Sequence, residues 1–87
     1  MYQLVISEAC VKQLKKLDKT ASVRIVKWLK RNIDGADDPR LFGKCLKGNL
    51  RDQWRYRIGS YRVIAVIDDN KFIVVTVKIA LRKDICR

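Results

Sequence analysis

The chain has 87 residues, 48% of them hydrophobic, which suits one domain over residues 1–87 with a single core. It contains 20 lysine and arginine residues against 9 acidic ones, and its net charge of +11 indicates an anionic partner: nucleic acid, an acidic protein or a membrane surface. The lack of histidine excludes a Ser-His-Asp triad, and three cysteines without ligand-like spacing predict no metal site.

The sequence shows neither a membrane segment nor a secretion signal. It contains no run of about 18 apolar residues, and its start, MYQLVISEACVKQL, lacks the basic and long apolar stretches of a signal peptide. We therefore expect a cytoplasmic protein with no membrane partner. Cys10 and Cys45 are interpreted as small thiols, buried or at the surface.

The N-terminal half predicts a short strand and two amphipathic helices. In residues 2–7, Tyr2, Leu4 and Ile6 alternate with Gln3, Val5 and Ser7, which is typical of a short strand. Ser7 is placed to cap the first helix and Thr20 to cap the second, and Asp34-Gly35 is a stop signal with Gly35 in the left-handed conformation.

The two helices predict an α-hairpin with an apolar inner side and a basic outer side. The inner stripe of the second helix runs from Ser22 to Ile33, and its outer stripe contains Arg24, Lys27 and Arg31. We interpret the basic sides as solvated rather than as nucleic-acid contacts, and Trp28 as a residue at the edge of the core.

The C-terminal half predicts an antiparallel meander of three strands. The segments QWRYRI, YRVIAVI and FIVVTVKIA are rich in β-branched and aromatic residues, and Gly59-Ser60 suits a type II′ turn between the first two. Residues 36–50 contain many turn-forming residues and are expected to be irregular. The predicted fold class is α+β, with the α-hairpin packed on a short, mostly antiparallel sheet.

The hairpin predicts a cluster of three arginines. With Gly59-Ser60 as its loop, Arg57 faces Arg62, and cross-strand partners share a face. Arg55 precedes Arg57 by two residues and joins them, while no acidic residue lies opposite. Like charges that face each other destabilise a sheet, so the cluster favours a bound anion, and the planar guanidinium group suits phosphate.

The block W-R-Y-R-I-G-S-Y-R-V, at residues 54–63, resembles the RelE branch of the RelE/ParE toxin superfamily. The similarity extends upstream through ISEACVKQLKKLDK and DDPRLFGKCLKGN to essentially the whole chain. It implies two helices on a short antiparallel sheet, and a ribosome-dependent endonuclease that cuts mRNA in the A site without a cofactor. It also implies silencing by a cognate antitoxin, through which alone the toxin would reach operator DNA.

The resemblance assigns roles to individual residues. Arg55, Arg57, Arg62 and Arg82 fall at catalytic basic positions, and Cys86 is an atypical, weak candidate for proton transfer. Further contacts with RNA are expected from four other basic residues, Lys44, Lys47, Arg51 and Lys83.

The terminal motif departs from the family pattern at three positions. Ala80 replaces the usual glycine, Leu81 the histidine of many relatives, and Cys86 the usual tyrosine. The family reaction, attack of a ribose 2′-oxygen on the adjacent phosphate, needs a proton acceptor and a proton donor. Arginine is a poor proton carrier because its pKa exceeds about 12, so the departures predict an attenuated or inactivated nuclease.

Two other functions stay open at this point. One is gyrase inhibition, as in the ParE branch, and the other is a non-catalytic, basic nucleic-acid-binding module that acts with an antitoxin. The arginine cluster favours the nuclease over the gyrase inhibitor. The missing histidine and tyrosine keep the binding module open.

Overall fold

The first strand and first helix form where the sequence indicates, in a computed structural model that describes residues 1–45 and 53–81. Strand β1 (Gln3–Ile6) leads into helix α1 (Glu8–Lys16). Ser7 caps this helix as predicted, because its Oγ accepts a hydrogen bond from the amide of Cys10 at 3.1 Å.

The second helix begins two residues earlier than its predicted cap requires. Helix α2 (Lys19–Asn32) is capped by Asp18, whose Oδ1 accepts a hydrogen bond from the amide of Ala21 at 2.9 Å. The prediction of Thr20 as the cap is therefore wrong. A carboxylate at this position also stabilises the positive end of the helix dipole, which a threonine hydroxyl does not. The predicted stop is confirmed, since Gly35 follows the helix with a left-handed φ of +80°.

The strands form one five-stranded sheet in the order β1-β5-β4-β3-β2. Strands β3 (Gln53–Ile58), β4 (Tyr61–Asp68) and β5 (Ile73–Leu81) are the predicted antiparallel meander. Strand β1 pairs with β5 in parallel, and β2 (Gly43–Cys45) pairs with β3 in antiparallel orientation. The α+β fold class is confirmed, and Gly43–Cys45 forms a strand that the sequence does not predict within the irregular stretch 36–50.

Helices α1 and α2 pack on one face of the sheet, and no helix of the described residues covers the other face. Cys10 lies in this core, with no exposed surface, as its interpretation as a small thiol allows. Trp28 lies at the core edge as predicted, half-buried beside Tyr56 with 5.6 Å between ring centroids. The largest fully buried apolar side chains are those of Ile25, Leu29, Ile33, Tyr56, Val63 and Val74.

A β-bulge in β5 determines which of its side chains face the core. Ala65 pairs with Thr76, but Ile64 pairs with Lys78, so Val77 is the extra residue. Strict alternation would place Lys78 in the core with Thr76. The bulge reverses the faces, so that Ile79 is buried and Lys78 is exposed on the opposite side.

Neither described helix has the length and apolar character that a membrane crossing would require.

Candidate nucleic-acid interface

The β3–β4 hairpin has the register that the sequence predicts. Gly59 adopts a φ of +60° while Ser60 keeps a negative φ, as a type II′ turn requires, and Ile58 pairs with Tyr61. Arg57 therefore lies directly opposite Arg62. Side chains at such positions have Cβ atoms about 5 Å apart, so the two guanidinium groups can reach one anion together.

The neighbouring strands place two lysines on the same side of the sheet. Lys44 of β2 pairs with Arg55, and Lys78 of β5 pairs with Ile64, which itself pairs with Arg55. We use the name basic face for the five cations that share this side of the sheet: Lys44, Arg55, Arg57, Arg62 and Lys78. Sequence reasoning missed Lys78, because only the bulge at Val77 turns it to this side.

Arg62 is the most deeply placed member of the basic face. It lies on the central strand, between Arg57 on one side and Ala80 on the other. Its side chain is only 6% exposed, and within residues 1–45 and 53–81 its buried Nε has no hydrogen-bond partner. A buried N–H group without a partner costs free energy, and a phosphate that accepted a hydrogen bond from Nε would offset that cost.

Among the described residues, no member of the basic face forms an ion pair within 4 Å, and the pair found there joins Arg40 to Asp69. Asp68 does lie on the same side of the sheet, but its Oδ1 accepts hydrogen bonds from the turn amides of Asn70 and Lys71. It follows Arg62 by six residues along β4, or about 20 Å. The cations near Arg62 therefore present a strong positive potential.

The other predicted site residues are placed as follows. Ala80 is half-buried opposite Arg62, and Leu81 ends β5 opposite Tyr61. The remaining predicted site residues, Lys47, Arg51, Arg82, Lys83 and Cys86, lie outside the described residues. Among the described residues, no three cysteine, aspartate or glutamate side chains are grouped as a metal ion would require.

Comparison with known proteins identifies the family. The model of the ParE toxin of the type II toxin–antitoxin system parDE matches residues 4–85. No curated protein sequence matches the chain.

Solved structures of RelE toxins have the same fold. The RelBE2 toxin–antitoxin complex from Mycobacterium tuberculosis is 26% identical, with a TM-score of 0.78 over 93% of this chain and 98% of that one. The isolated E. coli RelE toxin is 23% identical, with a TM-score of 0.74 over 93% and 84% of the two chains. The archaeal RelE–RelB complex from Pyrococcus horikoshii OT3 is 24% identical, with a TM-score of 0.67 over 93% and 94%.

The family match covers nearly the whole chain, and the folds agree across the same length. The chain therefore belongs to the ParE/RelE family of toxins from type II toxin–antitoxin systems.

Proposed function

We propose that this toxin is a RelE-type endoribonuclease that binds mRNA phosphates on its basic face and cuts mRNA in the ribosomal A site. The observation that carries the proposal is the position of Arg62, buried, opposite Arg57, and with an Nε that lacks a partner in the described residues. Arginine binds phosphate through two parallel hydrogen bonds, and a partly buried site strengthens them.

The basic face can supply one part of the cleavage chemistry. Guanidinium groups held in place by a sheet stabilise the negative charge that develops on phosphorus without reorganising during the reaction. Arg57 and Arg62 are opposite each other, so they can contact two oxygens of one phosphate. Stabilisation of charge is therefore the part of the cleavage reaction for which this chain is better equipped than it is for proton transfer.

Proton transfer is the weaker part. The chain has no histidine, and Leu81 and Cys86 replace the histidine and tyrosine usual in the family. General acid–base catalysis commonly contributes about 10²- to 10⁴-fold, so we propose that cleavage is slow although RNA binding is strong. Cys86 would be a weak proton donor at best.

The proposed partners are the ribosome with its mRNA and a cognate antitoxin. The M. tuberculosis and archaeal relatives were solved as complexes with antitoxins, and a net charge of +11 suits an acidic antitoxin. Opposite charges speed the encounter of two proteins more than they strengthen the final complex. We expect operator DNA to be contacted only through the antitoxin, and the complex to act in the cytoplasm.

Gyrase inhibition is the second candidate, because the matching family model is that of the ParE toxin. That function requires no RNA site. A supercoiling assay with purified gyrase discriminates between the two: inhibition that survives loss of Arg57 and Arg62 would favour the ParE function.

Primer extension on ribosome-bound mRNA tests the proposed nuclease. We expect weak A-site cleavage by the unaltered chain and none by Arg57→Ala/Arg62→Ala. The matched control is Lys27→Ala/Arg31→Ala, which removes the same charge from the exposed side of α2 and should leave cleavage unchanged. Equal cleavage by the two double variants would contradict the proposal.

A further inference from the structure

Strand β2 contributes Lys44 to the basic face from the edge of the sheet. Its residues Gly43–Cys45 pair with β3, which is the one strand beside it in the described part of the chain. An edge strand is held by the sheet from one side. The position of Lys44 opposite Arg55 therefore also depends on how the preceding residues 39–43 are attached.

An ion pair attaches this segment to the β4–β5 turn. The two terminal nitrogens of Arg40 each lie 2.9 Å from one carboxylate oxygen of Asp69. The hydroxyl of Tyr2 donates a further hydrogen bond, of 2.5 Å, to Asp69 Oδ1. Arg40 lowers the pKa of the Asp69 carboxyl, with a further contribution from the Tyr2 hydroxyl. A single exposed ion pair stabilises a protein little, but a bidentate arginine–carboxylate pair within a hydrogen-bond network holds its two side chains in one relative position.

The same arginine contacts the strand that pairs with β2. Its guanidinium carbon lies 5.8 Å from the centroid of the Trp54 ring, within the range of a cation–π interaction. Trp54 in turn packs on Gly43, where an added Cβ would lie 2.6 Å from the Trp54 ring. A side chain at residue 43 would therefore push β2 away from β3.

Two more contacts complete the attachment. The hydroxyl of Tyr56 donates a hydrogen bond of 2.7 Å to the carbonyl oxygen of Pro39, and burial raises the pKa of this hydroxyl. The ring of Phe42 meets that of Trp28 edge-on, with 6.1 Å between centroids. Residues 39, 40, 42 and 43 are thus all fixed, immediately before Lys44.

We propose that Arg40 and Asp69 form a latch that positions Lys44 beside Arg55 and thereby adds one phosphate contact to the basic face. Arg40 and Asp69 are positioning residues in this proposal, which rests on the proposed RNA-binding function. The latch joins two loops that are 29 residues apart in sequence. Loss of either partner removes the contact between residue 40 and the β4–β5 turn, so we expect Lys44 to be held less firmly opposite Arg55.

The Asp69→Ala variant separates the latch from simple electrostatics. Removing an acidic group raises the positive charge of the protein, so electrostatics alone would tighten RNA binding. The latch requires the opposite: binding should weaken on the order of fivefold, the effect of one lost phosphate contact. Asp37 is an exposed aspartate that precedes residues 39–43. The Asp37→Ala variant is the charge-matched control and should not weaken RNA binding.

The measurement is fluorescence anisotropy with a labelled single-stranded RNA oligonucleotide at several salt concentrations. For Asp69→Ala the slope of log affinity against log salt should become shallower by about 0.7, the value for one phosphate of a single strand. Lys44→Ala should change the salt slope by the same amount. The Lys44→Ala/Asp69→Ala variant should lose no more RNA affinity than either single variant. Arg40→Lys keeps the charge but loses the two-pronged bond, so it should bind RNA less tightly than the unaltered chain.

Two results would overturn the latch. The first is that Asp69→Ala binds RNA as tightly as Asp37→Ala. The second is that the affinity of the Lys44→Ala/Asp69→Ala variant falls by the product of the two single-variant losses, which would mean that the two residues act independently. Arg57→Ala/Arg62→Ala, measured in parallel, tests the proposed function separately. Unchanged RNA binding by that variant would reject the RNA site itself. If that variant loses RNA binding while Asp69→Ala binds normally, only the latch is rejected.

Discussion

Arg57 and Arg62 face each other across the β3–β4 hairpin, yet Arg57 is exposed and Arg62 is only 6% exposed. The pair combines like-charge repulsion with the burial of one guanidinium group. Both effects oppose folding, and the phosphate binding that we propose would offset them. Natural proteins commonly retain such destabilising groups where function requires them.

Replacing Arg62 with methionine should stabilise the protein while weakening RNA binding. The substitution removes a buried charge and the repulsion by Arg57 but keeps an unbranched apolar chain of similar length. We expect the free energy of unfolding to rise on the order of 1 kcal/mol. Urea unfolding measures this change, and Arg57→Met, at an exposed position, is the control with a smaller effect. Destabilisation by Arg62→Met would mean that the Arg62 guanidinium is well paired in the folded protein.

Replacing Gln13 should loosen the end of β5 next to Arg62. The Gln13 amide donates a hydrogen bond of 2.7 Å to the Ile79 carbonyl and accepts one of 2.8 Å from the Ile79 amide. Gln13→Leu leaves both backbone groups without these partners, so we expect a loss of about 1–3 kcal/mol in the free energy of unfolding. Gln13→Glu retains the hydrogen-bond acceptor alone. Its free energy of unfolding in urea should lie between those of the unaltered chain and Gln13→Leu. Equal stability of all three proteins would show that water replaces the amide.

The contribution of Asp69 to stability should depend on pH. Arg40 and Tyr2 lower the pKa of Asp69 in the folded protein, so its contribution is present above the unfolded pKa of about 3.9. It is lost as the pH falls through the lowered folded pKa. The difference in urea midpoint between the unaltered chain and Asp69→Ala should therefore be constant from pH 7 to 5 and shrink at more acidic pH. A difference that is unchanged at acidic pH would contradict the ion pair.

Restoring the family residues in the terminal motif should increase cleavage without changing binding. Leu81→His and Cys86→Tyr supply the ionisable groups that the motif lacks, while the arginines of the basic face are proposed to bind phosphate in the unaltered chain. We expect stronger A-site cleavage in primer extension, with ribosome affinity little changed. Adding Arg82→Ala to the restored chain should reduce cleavage again. Full cleavage by the unaltered chain would show that Leu81 and Cys86 do not limit the reaction.

The sequence predicts the hairpin site well because its determinants are local. Gly59-Ser60 specifies the turn, and the turn specifies that Arg57 faces Arg62. The burial of Arg62 has no such local signal. The alternation of side chains along β4 predicts which face of the sheet Arg62 lies on, but burial depends on the neighbouring side chains of other strands. The predicted cap of α2 is wrong, because helical periodicity does not show that the chain becomes helical at Lys19, before Thr20.

Other features depend on the assembled fold. Strand β2 lies in a stretch rich in turn-forming residues that hide it, and the bulge that turns Lys78 to the basic face depends on pairing with β4. The latch between Arg40 and Asp69 joins two loops that share no pattern in the sequence. Tertiary structure was needed to find all three.

The salt dependence of RNA affinity tests most directly whether the basic face binds phosphate. Affinity for a single-stranded RNA oligonucleotide should fall steeply with salt, since each neutralised phosphate releases counterions and contributes about 0.7 to the slope. Arg57→Ala/Arg62→Ala should make the slope shallower by about 1.4, whereas Lys27→Ala/Arg31→Ala on the exposed side of α2 should leave it unchanged. An unchanged slope for the first variant and a shallower slope for the second would place the RNA contacts on the helices and contradict the site described here.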